Sequence, residues 1–441
     1  MILVYTHKIT PRVRYVFKHI FENILGVPIN LTADVQDFVA FSGAKISYSK
    51  KALSNELFFY AHPLLFENGI SDQELNVSKW SDTHIFFSGI GVSALPFDPF
   101  AASFYLLTRY EEYLAHIKDR FARFPASESV ASQHGFLQKP VVDIWAQSIK
   151  TVLLARFPEL EFPTQEFSFL NTIDIDNAYA YKEKGMMRTM GALARSFLKL
   201  NFRELIERTM VLMGKASDPF DCFDYMLEIE KKYKLNSIYF FLVGDYGEND
   251  KNISVTSRKF QLLIKHIADY AKVGIHPSYG SNENNSKLKL ELNRLERILN
   301  REVRDSRQHF LKLTMPDTYR NLLDLNIRRD YTMGYASEPG FRAGTSYPFH
   351  FYDLDMEVVT PLLIYPFMVM DGTLNYYQKK SIEESTVIVR QLLDEVKAVN
   401  GTFVSLWHNE TLNDRGVWEG WRTVYEDMIK YAKNDCLPTK K

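Results

Sequence analysis

A regular alternation of apolar runs and amphipathic helical segments fills the chain from about residue 166 onward. The apolar runs are, in order, FSFLNTID, SIYFFLVG, VGIHPSY, SRQHFLKL, VVTPLLIYPFMV and GTFVSLWHNE. Helical patterns such as TSRKFQLLIKHIADYAK separate one run from the next. Apolar strands that are joined by helices are typical of a parallel sheet whose faces are both covered. The alternation therefore predicts repeated β-α units that close into a barrel.

The first part of the chain predicts a smaller α/β domain. MILVYT has the pattern of a strand, and RVRYVFKHIFENIL has that of an amphipathic helix. The run DPFAASFYLLTRYEEYLAHI predicts a helix that begins with an Asp cap and an early Pro. The segment RFPELEFPTQEF, with two prolines and several acidic residues, is typical of a connection. We therefore predict a domain of unknown role at 1–165 and a second domain at 166–441.

Composition limits the class of protein and its partners. A chain of 441 residues, 46% hydrophobic and 24% charged, is long enough for two globular domains. A formal net charge of −1 provides no general attraction for nucleic acid, so we expect none as a partner. The start of the sequence lacks the apolar region of a secretory signal, and no run approaches the length of a membrane span. We therefore expect a cytoplasmic protein, and nothing indicates its oligomeric state.

One segment, residues 182–215, interrupts the alternation and is basic. It contains eight Lys or Arg residues and three Glu residues, together with Met and Leu residues at helical spacing. Amphipathic helices usually pack their apolar face on a core, so we predict a helical insertion on the barrel with solvated charges. The alternative is a basic amphipathic surface that contacts an anionic membrane or a glycan.

Polar residues that can support catalysis follow several of the predicted strands. The carboxyl ends of parallel strands meet at one edge of a sheet, which is where active sites of such folds form. The candidates are Asp174, Asp176, His276, Ser278, Arg307, His309 and His408. Residues two positions apart on a strand point to the same face, so each of the pairs 174/176 and 307/309 shares a side. We therefore expect these side chains to converge on one site.

Imidazoles and carboxylates in this set suit a divalent cation, with Zn²⁺ the foremost candidate. A cation would relieve the repulsion between Asp174 and Asp176, and it would lower the pKa of a bound water to about 7. A second carboxylate could then accept the proton of that water, and an opposed imidazole could protonate the leaving group. The residue types therefore indicate metal-assisted hydrolysis.

The runs TIDID, IYFFLVG, VGIHPSY, SRQHFLKL and SLWHNE, in this order, resemble the motifs of the polysaccharide deacetylase family, carbohydrate esterase family 4. The resemblance covers about residues 166–425. It implies a distorted, incomplete (β/α) barrel that removes N- or O-linked acetyl groups from a saccharide or a cell-surface glycan precursor. It also implies Asp174 as base, Asp176 and His276 as metal ligands, His408 as general acid, and Ser278 as support for the metal-binding loop.

Two features depart from the family pattern. The adjacent Asp pair of the family is spread to Asp-x-Asp, and the second His of the second motif is replaced by Gly280. We predict that His309 replaces the missing ligand. Alternatively, His309 binds substrate or the catalytic Asp, and the chain is an inactive relative that acts as a carbohydrate-binding or assembly protein. A glycoside hydrolase with paired carboxylates is a further alternative, but an Asp-x-Asp on one strand fits a metal better.

Arg307 and two further polar residues are candidates for substrate binding or orientation. Arg307 could orient Asp174 through a bidentate pair, or it could hold an acidic sugar. Asp330 and Arg342 lie in a stretch, RRDYTMGYASEPGFRAGTSYPFHFYDLD, that resembles one found in some branches of the family. Arg342 could contact substrate from a glycine-rich loop, and a structural salt bridge is the alternative.

Overall fold

A four-stranded parallel sheet begins the chain in the computed structural model, which describes residues 1–89 and 91–433. Its order is β2-β1-β3-β4. A short antiparallel ribbon, β5-β6, follows it. These strands are β1 (Ile2–Thr6), β2 (Ile29–Thr32), β3 (Lys45–Ser49), β4 (Leu57–Tyr60), β5 (Ser78–Trp80) and β6 (Thr83–Ile85).

Six helices accompany this sheet. They are α1 (Pro11–Lys18), α2 (Val35–Ala40), α3 (Pro99–Leu107), α4 (Tyr110–Tyr113), α5 (Val130–Gln133) and α6 (Val141–Arg156). Helix α3 begins as predicted, because the Asp98 carboxylate accepts hydrogen bonds from the backbone N–H groups of Phe100 and Ala101. It ends earlier than predicted because Arg109, with φ 53°, is in the left-handed region and turns the chain before α4.

A nine-stranded sheet forms the second part of the chain. Its order is β12-β13-β11-β10-β9-β8-β7-β15-β14. Every pairing in it is parallel except that of β12 with β13. The strands are β7 (Ser168–Ile175), β8 (Ser237–Phe241), β9 (Lys272–Ile275), β10 (Asp305–Ser306), β11 (Arg329–Asp330), β12 (Phe349–Asp353), β13 (Val358–Ile364), β14 (Val369–Met370) and β15 (Thr402–His408).

Helices connect most of these strands. They are α7 (Met186–Leu198), α8 (Phe202–Leu212), α9 (Phe223–Tyr233), α10 (Arg258–Ala268), α11 (Asn285–Leu299), α12 (Asp317–Asp324), α13 (Ile382–Ala398) and α14 (Trp421–Ala432). Two π-helical turns (His19–Ile24, Thr373–Tyr377) and six 3₁₀ turns (Pro63–Phe66, Ala126–Glu128, Tyr279–Ser281, His309–Leu311, Thr411–Asn413, Gly416–Trp418) complete the described elements. No helix of the described residues is both long enough and apolar enough to cross a membrane.

The mixed α/β class predicted from the sequence is confirmed, but the sheet does not close. No pairing between described residues joins the edge strands β12 and β14. The predicted strand VVTPLLIYPFMV is divided between β13 and β14. The predicted strand SRQHFLKL is only the two-residue β10, which overlaps it at Ser306, and His309 begins a 3₁₀ turn instead.

A single cluster of buried apolar residues runs through both sheets, so they share one core. Tyr15 of α1 packs on Phe104 of α3 and on Tyr352 of β12. Polar contacts cross the same boundary, for example where the Tyr15 hydroxyl donates to the His350 carbonyl at 2.8 Å. The two sheets lie on either side of residue 165, and a division into domains at that position stays a prediction.

A buried ionic cluster strengthens this junction. The Glu112 carboxylate accepts hydrogen bonds from Arg342 at 2.9 and 2.7 Å and from Arg109 at 2.7 Å. All three side chains are at most 2% exposed. Although burial opposes ionisation, the two guanidinium groups lower the pKa of Glu112 to about 2. The carboxylate is therefore charged and depends on both arginines.

The insertion at 182–215 forms the two helices α7 and α8, but the expectation that its apolar side chains pack on the barrel is wrong for most of them. Met187 is 89% exposed, Leu198 80% and Ile206 63%, whereas the polar Ser196 and Arg208 are buried. This inverted distribution leaves an apolar surface without a partner in the described part of the chain.

We expect Arg342→Ala to lower the free energy of unfolding by about 3–5 kcal/mol, because it leaves a buried carboxylate with only one of its two guanidinium partners. Denaturant unfolding measures this change. Arg304→Ala is the matched control, since Arg304 pairs with Glu302 at the exposed surface and should leave the unfolding free energy nearly unchanged. Equal, small losses in both variants would contradict the role assigned to the cluster.

Candidate metal centre

The sequence-predicted site residues come together at the carboxyl edge of the second sheet. Asp174 and Asp176 lie at the end of β7, His276 follows β9, His309 follows β10, and His408 ends β15. All five line one pocket. Parallel strands place their carboxyl ends at one edge, which explains why residues far apart in sequence converge there.

A carboxylate and two imidazoles form the centre of this pocket. Oδ1 of Asp176 lies 3.1 Å from Nε2 of His276, and its Oδ2 lies 3.3 Å from Nε2 of His309. One possible ligand atom from each residue lies within 4.8 Å of the other two. Tetrahedral ligands at the usual zinc distances lie about 3.4 Å from one another. The three residues therefore have a spacing that fits one divalent cation.

Both imidazoles direct the same nitrogen at Asp176, because the other nitrogen is already hydrogen-bonded. Nδ1 of His276 lies 2.6 Å from the Arg307 carbonyl oxygen, which can only accept, so Nδ1 carries a proton. Nδ1 of His309 lies 2.8 Å from Oδ1 of Asp250. Protein metal sites orient their histidines in this way. When these rings are neutral, the lone pairs of both Nε2 atoms face the same space.

Charge and hydrogen bonding at Asp176 also fit a cation. Its Oδ1 is buried and has no hydrogen-bond partner with good geometry among the described residues. Although burial opposes ionisation, His309 and His276 hold the pKa of Asp176 well below its usual range. Burial likewise opposes the charged ring of His309, but Asp176 and Asp250 raise the pKa of His309 to about 9. A cation could replace the positive charge that the His309 ring otherwise provides.

Arg307 orients the second carboxylate, Asp174. Its Nη1 donates to Asp174 Oδ1 at 3.0 Å and to the Thr172 hydroxyl at 2.7 Å. Its Nε donates to the Tyr331 carbonyl at 3.0 Å. Asp174 Oδ2 lies 3.7 Å from His276 Nε2. Of the two roles predicted for Arg307, contact with Asp174 is the one that this geometry provides, through one nitrogen rather than a bidentate pair.

His408 is held by a carboxylate that sequence reasoning missed. Its Nδ1 lies 2.8 Å from Asp371 Oδ1, and its Nε2 lies 4.0 Å from Asp176 Oδ2. Asp371 also accepts from the backbone N–H of His408 and from the Thr411 hydroxyl. Although burial opposes the charge, Asp371 raises the pKa of His408 well above its usual range. Asp371 directly follows β14, so the rule that found the other residues could have found it.

Two further carboxylates at the site also escaped the sequence. Asp250 lies in a loop after β8, and nothing in its sequence distinguishes it from the acidic residues around it. Glu410 lines the pocket two positions after His408. Burial and then the charge of Asp176 raise the pKa of Glu410 to about 7. Glu410 belongs to the run SLWHNE, but the expectation that site residues lie at the carboxyl ends of strands extends only to His408, where β15 ends.

Three predicted residues lie outside the centre. The Ser278 hydroxyl donates to Glu291 at 2.6 Å, which holds the loop after His276. Asp330 is fully buried and accepts from Ser306 and Thr332. Arg342 belongs to the ionic cluster at the junction of the sheets and is satisfied by Glu112. Asp330 and Arg342 do not line the pocket, so the expectation that they contact substrate is set aside for structural roles.

Gly280, where the related motif has a histidine, does not face the centre. A Cβ atom added there would meet, within 4 Å, only the Nζ of Lys287 at 3.7 Å. A side chain at this position would therefore point toward α11. His309 lies beside His276, with ring centroids 5.1 Å apart, and its replacement of the missing ligand stays a prediction.

Arg123 reaches the pocket from the first part of the chain and holds the turn after His309. Its Nη1 donates to the Phe310 carbonyl at 2.7 Å, and its Nε donates to Asp119 at 2.8 Å. Phe310 and Leu311 have φ of 60° and 56°. Left-handed backbone at a non-glycine residue costs about 1–3 kcal/mol and needs support from its surroundings. Arg123 is therefore a positioning residue for His309.

Comparison with known proteins gives partial matches. Residues 2–158 match the profile of a family of unknown function, DUF7033, which is about a third of the chain. No curated protein sequence matches the chain significantly.

Solved structures similar to the chain include a Mycobacterium smegmatis protein described as a polysaccharide deacetylase, with a TM-score of 0.39 and 12% identity over 61% of this chain and 86% of that one. Another is the polysaccharide deacetylase Bc1974 from Bacillus cereus, with a TM-score of 0.30 and 11% identity over 61% of this chain and 89% of that one. A third is BA3943, a pseudoenzyme of carbohydrate esterase family 4 from Bacillus anthracis, with a TM-score of 0.28 and 14% identity over 60% of this chain and 60% of that one. These scores are too low to establish an activity, a metal or a substrate.

We expect the purified chain to bind one Zn²⁺, and His309→Ala to weaken that binding by more than 100-fold, because it removes one of three ligands. Competition with a chromophoric chelator measures the affinity. His266→Ala, which changes an exposed histidine of α10, is the control and should leave binding unchanged. Asp250→Asn should weaken Zn²⁺ binding by about 10–100-fold, as expected for a residue that orients a metal ligand. Unchanged affinity in His309→Ala would remove His309 from the ligand set.

We also expect Arg123→Met to weaken Zn²⁺ binding by about 10–100-fold, because His309 would lose the turn that orients it. Arg123→Lys should recover part of the affinity, since an ammonium group can still donate to the Phe310 carbonyl. Arg120→Met, on the exposed neighbour that lies over the Phe121 ring, is the matched control. Denaturant unfolding of the metal-free variants separates positioning from stability. A loss of stability without a change in affinity would contradict the positioning role.

Proposed function

We propose that this chain is a metal-dependent hydrolase that removes N- or O-linked acetyl groups from a saccharide. The observation that carries the proposal is the arrangement of three groups in one pocket. The Asp176–His276–His309 triad fits a divalent cation, most simply Zn²⁺. On its flanks lie a carboxylate oriented by an arginine and an imidazole paired with a carboxylate. The order of the sequence motifs and the polysaccharide deacetylase type of barrel that they imply support the same reaction class.

The bound ion would polarise an acetyl carbonyl and lower the pKa of a water to about 7. In this proposal Asp174 accepts a proton beside the triad. Its position supports the role, because Arg307 holds one of its oxygens and leaves the other 3.7 Å from His276. His408 would donate a proton to the leaving nitrogen or oxygen. The Asp371 carboxylate favours the protonated ring, so Nε2 of His408 carries the proton that is donated.

The walls of the pocket support a saccharide that carries an apolar group. Leu311, Ala336, Met370 and Leu406 provide apolar surface near the triad, which suits an acetyl methyl group. Tyr376 and Tyr377 line the pocket and are also 55% and 41% exposed, so they form a rim on which a sugar ring could stack.

The test is acetate release from an N-acetylglucosamine oligosaccharide and from an O-acetylated xylan, with zinc supplied. We expect activity that a chelator abolishes and that zinc restores. Asp174→Asn should lower the rate by about 10²–10⁴-fold, as expected for loss of a general base, while one zinc per chain remains bound. Asp82→Asn, on an exposed carboxylate outside the pocket, is the control.

The other outcomes separate the alternatives. Zinc and saccharide binding without acetate release would favour a non-catalytic carbohydrate-binding protein. New reducing ends without acetate would favour a glycoside hydrolase. Acetate release that survives chelation would contradict the metal-dependent mechanism.

A further inference from the structure

The helical hairpin formed by α7 and α8, residues 186–213, has its apolar side chains on the outside. Of the 29 large apolar residues that are exposed in the described part of the chain, 11 lie in this hairpin. They are Met186, Met187, Met190, Phe197, Leu198, Leu200, Phe202, Ile206, Met210, Leu212 and Met213. A concentration of exposed apolar side chains on one part of a protein surface marks an interaction site.

The exposed residues follow the helical repeat and form stripes. Phe202, Ile206 and Met210 of α8, and Met213 directly after it, are three or four positions apart and share one face. The opposite face of α8 carries Arg208 and Val211, which are buried. The hairpin therefore attaches to the protein partly through polar contacts and leaves an apolar stripe free.

Positive charge surrounds the apolar stripe. Arg195, Lys199, Arg203 and Lys215 are exposed, and none of them forms an ion pair within the residues that the structure describes. The three carboxylates of the segment are already engaged: Glu183 with Ser257, Glu204 with Arg208, and Glu207 with Tyr181. The exposed charge of the hairpin is therefore basic although the chain as a whole has a net charge of −1.

The tip of the hairpin combines both properties in six residues, LKLNFR at 198–203. Leu198 is 80% exposed, Leu200 70% and Phe202 51%, and Lys199 and Arg203 alternate with them. Aliphatic side chains interleaved with bases are the chemistry of segments that enter the interface of an anionic bilayer. A glycan would be recognised through hydrogen bonds and aromatic faces, and this surface is mainly Met, Leu and Ile.

The base of the hairpin lies at the edge of the sheet where the pocket opens. Arg188 donates to the Asn252 carbonyl at 3.1 Å and lies over the Tyr246 ring, both in the loop after β8. Glu207 contacts Arg415, which lies in the segment after β15, at 3.3 Å. Because β8 and β15 both pair in parallel with β7, these loops lie at the carboxyl edge that carries the pocket residues, and the hairpin and the pocket share one end of the molecule.

We propose that this hairpin docks the protein on an anionic lipid bilayer, with its tip and apolar stripe in the interfacial region. The basic residues then lie at the level of the lipid headgroups, and the pocket lies close to the membrane surface. This inference uses no residue of the pocket, so it goes beyond the proposed hydrolysis and does not depend on it.

Co-sedimentation of the full chain with vesicles tests the proposal. We expect binding to vesicles of equal phosphatidylglycerol and phosphatidylcholine, weak binding to pure phosphatidylcholine, and loss of binding at high salt. Lys199→Glu/Arg203→Glu should weaken partitioning by about 30-fold or more, because two basic contacts are lost. Leu198→Ser/Leu200→Ser/Phe202→Ser should weaken it by at least about tenfold through lost apolar burial.

Matched controls use exposed residues of α10 and α11. Leu262→Ser/Leu290→Ser and Lys265→Glu/Lys289→Glu change the same residue types away from the hairpin and should leave vesicle binding unchanged. Acetate release from a water-soluble saccharide should be equal in all these variants. Failure of that reaction in the unmodified chain would remove the proposed hydrolysis and leave the docking proposal standing.

Three results would overturn the docking proposal. The first is no binding to anionic vesicles at low salt. The second is binding that the hairpin variants leave unchanged. The third is a different occupant of the surface, which would be detected as a dimer in light scattering that the Ser variant dissociates, or as retention on an anionic polysaccharide without vesicle binding.

Discussion

The carboxylate of Asp176 lies between two imidazoles whose remaining nitrogens are committed to hydrogen bonds elsewhere in the fold. This commitment directs both Nε2 atoms at the Asp176 carboxylate. The three residues follow three different strands, so the arrangement exists only when the sheet is assembled. The groups proposed to transfer protons, Asp174 and His408, depend on the same edge, because both lie close to this centre.

The first part of the chain takes part in building the site. Arg123 lies within the segment that matches a family of unknown function, and its guanidinium supports the left-handed turn after His309. The buried cluster of Arg109, Glu112 and Arg342 joins the same segment to the second sheet. Loss of a partner from such a cluster leaves an unpaired buried charge, which is far more costly than loss of a surface pair. The two sheets are therefore coupled where the site needs rigidity.

The hairpin and the pocket give one end of the molecule two kinds of chemistry. The pocket concentrates carboxylates and imidazoles, most of them buried, within a few ångströms of one another. The hairpin presents aliphatic side chains and unpaired bases to solvent. Docked on a bilayer, that end would meet saccharides near the lipid headgroups, and a soluble saccharide would still enter the same pocket. The two proposals thus describe where the protein acts and what it does there, and each stands on its own residues.

Strand-end reasoning could predict much of this site. Local hydrophobic patterns predict the alternation of strands and helices, and parallel strands end at one edge of the sheet. These two facts predicted that five residues lie together, namely Asp174, Asp176, His276, His309 and His408. The same patterns predicted the mixed α/β class. Their limit is visible at Asp250 and Arg123, which lie in irregular segments whose path depends on contacts with distant residues.

The sequence by itself determined most of the elements and several of the polar residues at the carboxyl edge of the sheet, because these follow from the periods of strands and helices. Only the tertiary structure decided which partner each residue meets. In the folded chain Arg342 pairs with the buried carboxylate of Glu112 and does not line the pocket. The apolar side of α7 and α8 is exposed to solvent and does not pack on the core. Amphipathic spacing fixes the existence of an apolar face, but what covers that face depends on the surfaces that folding brings near it.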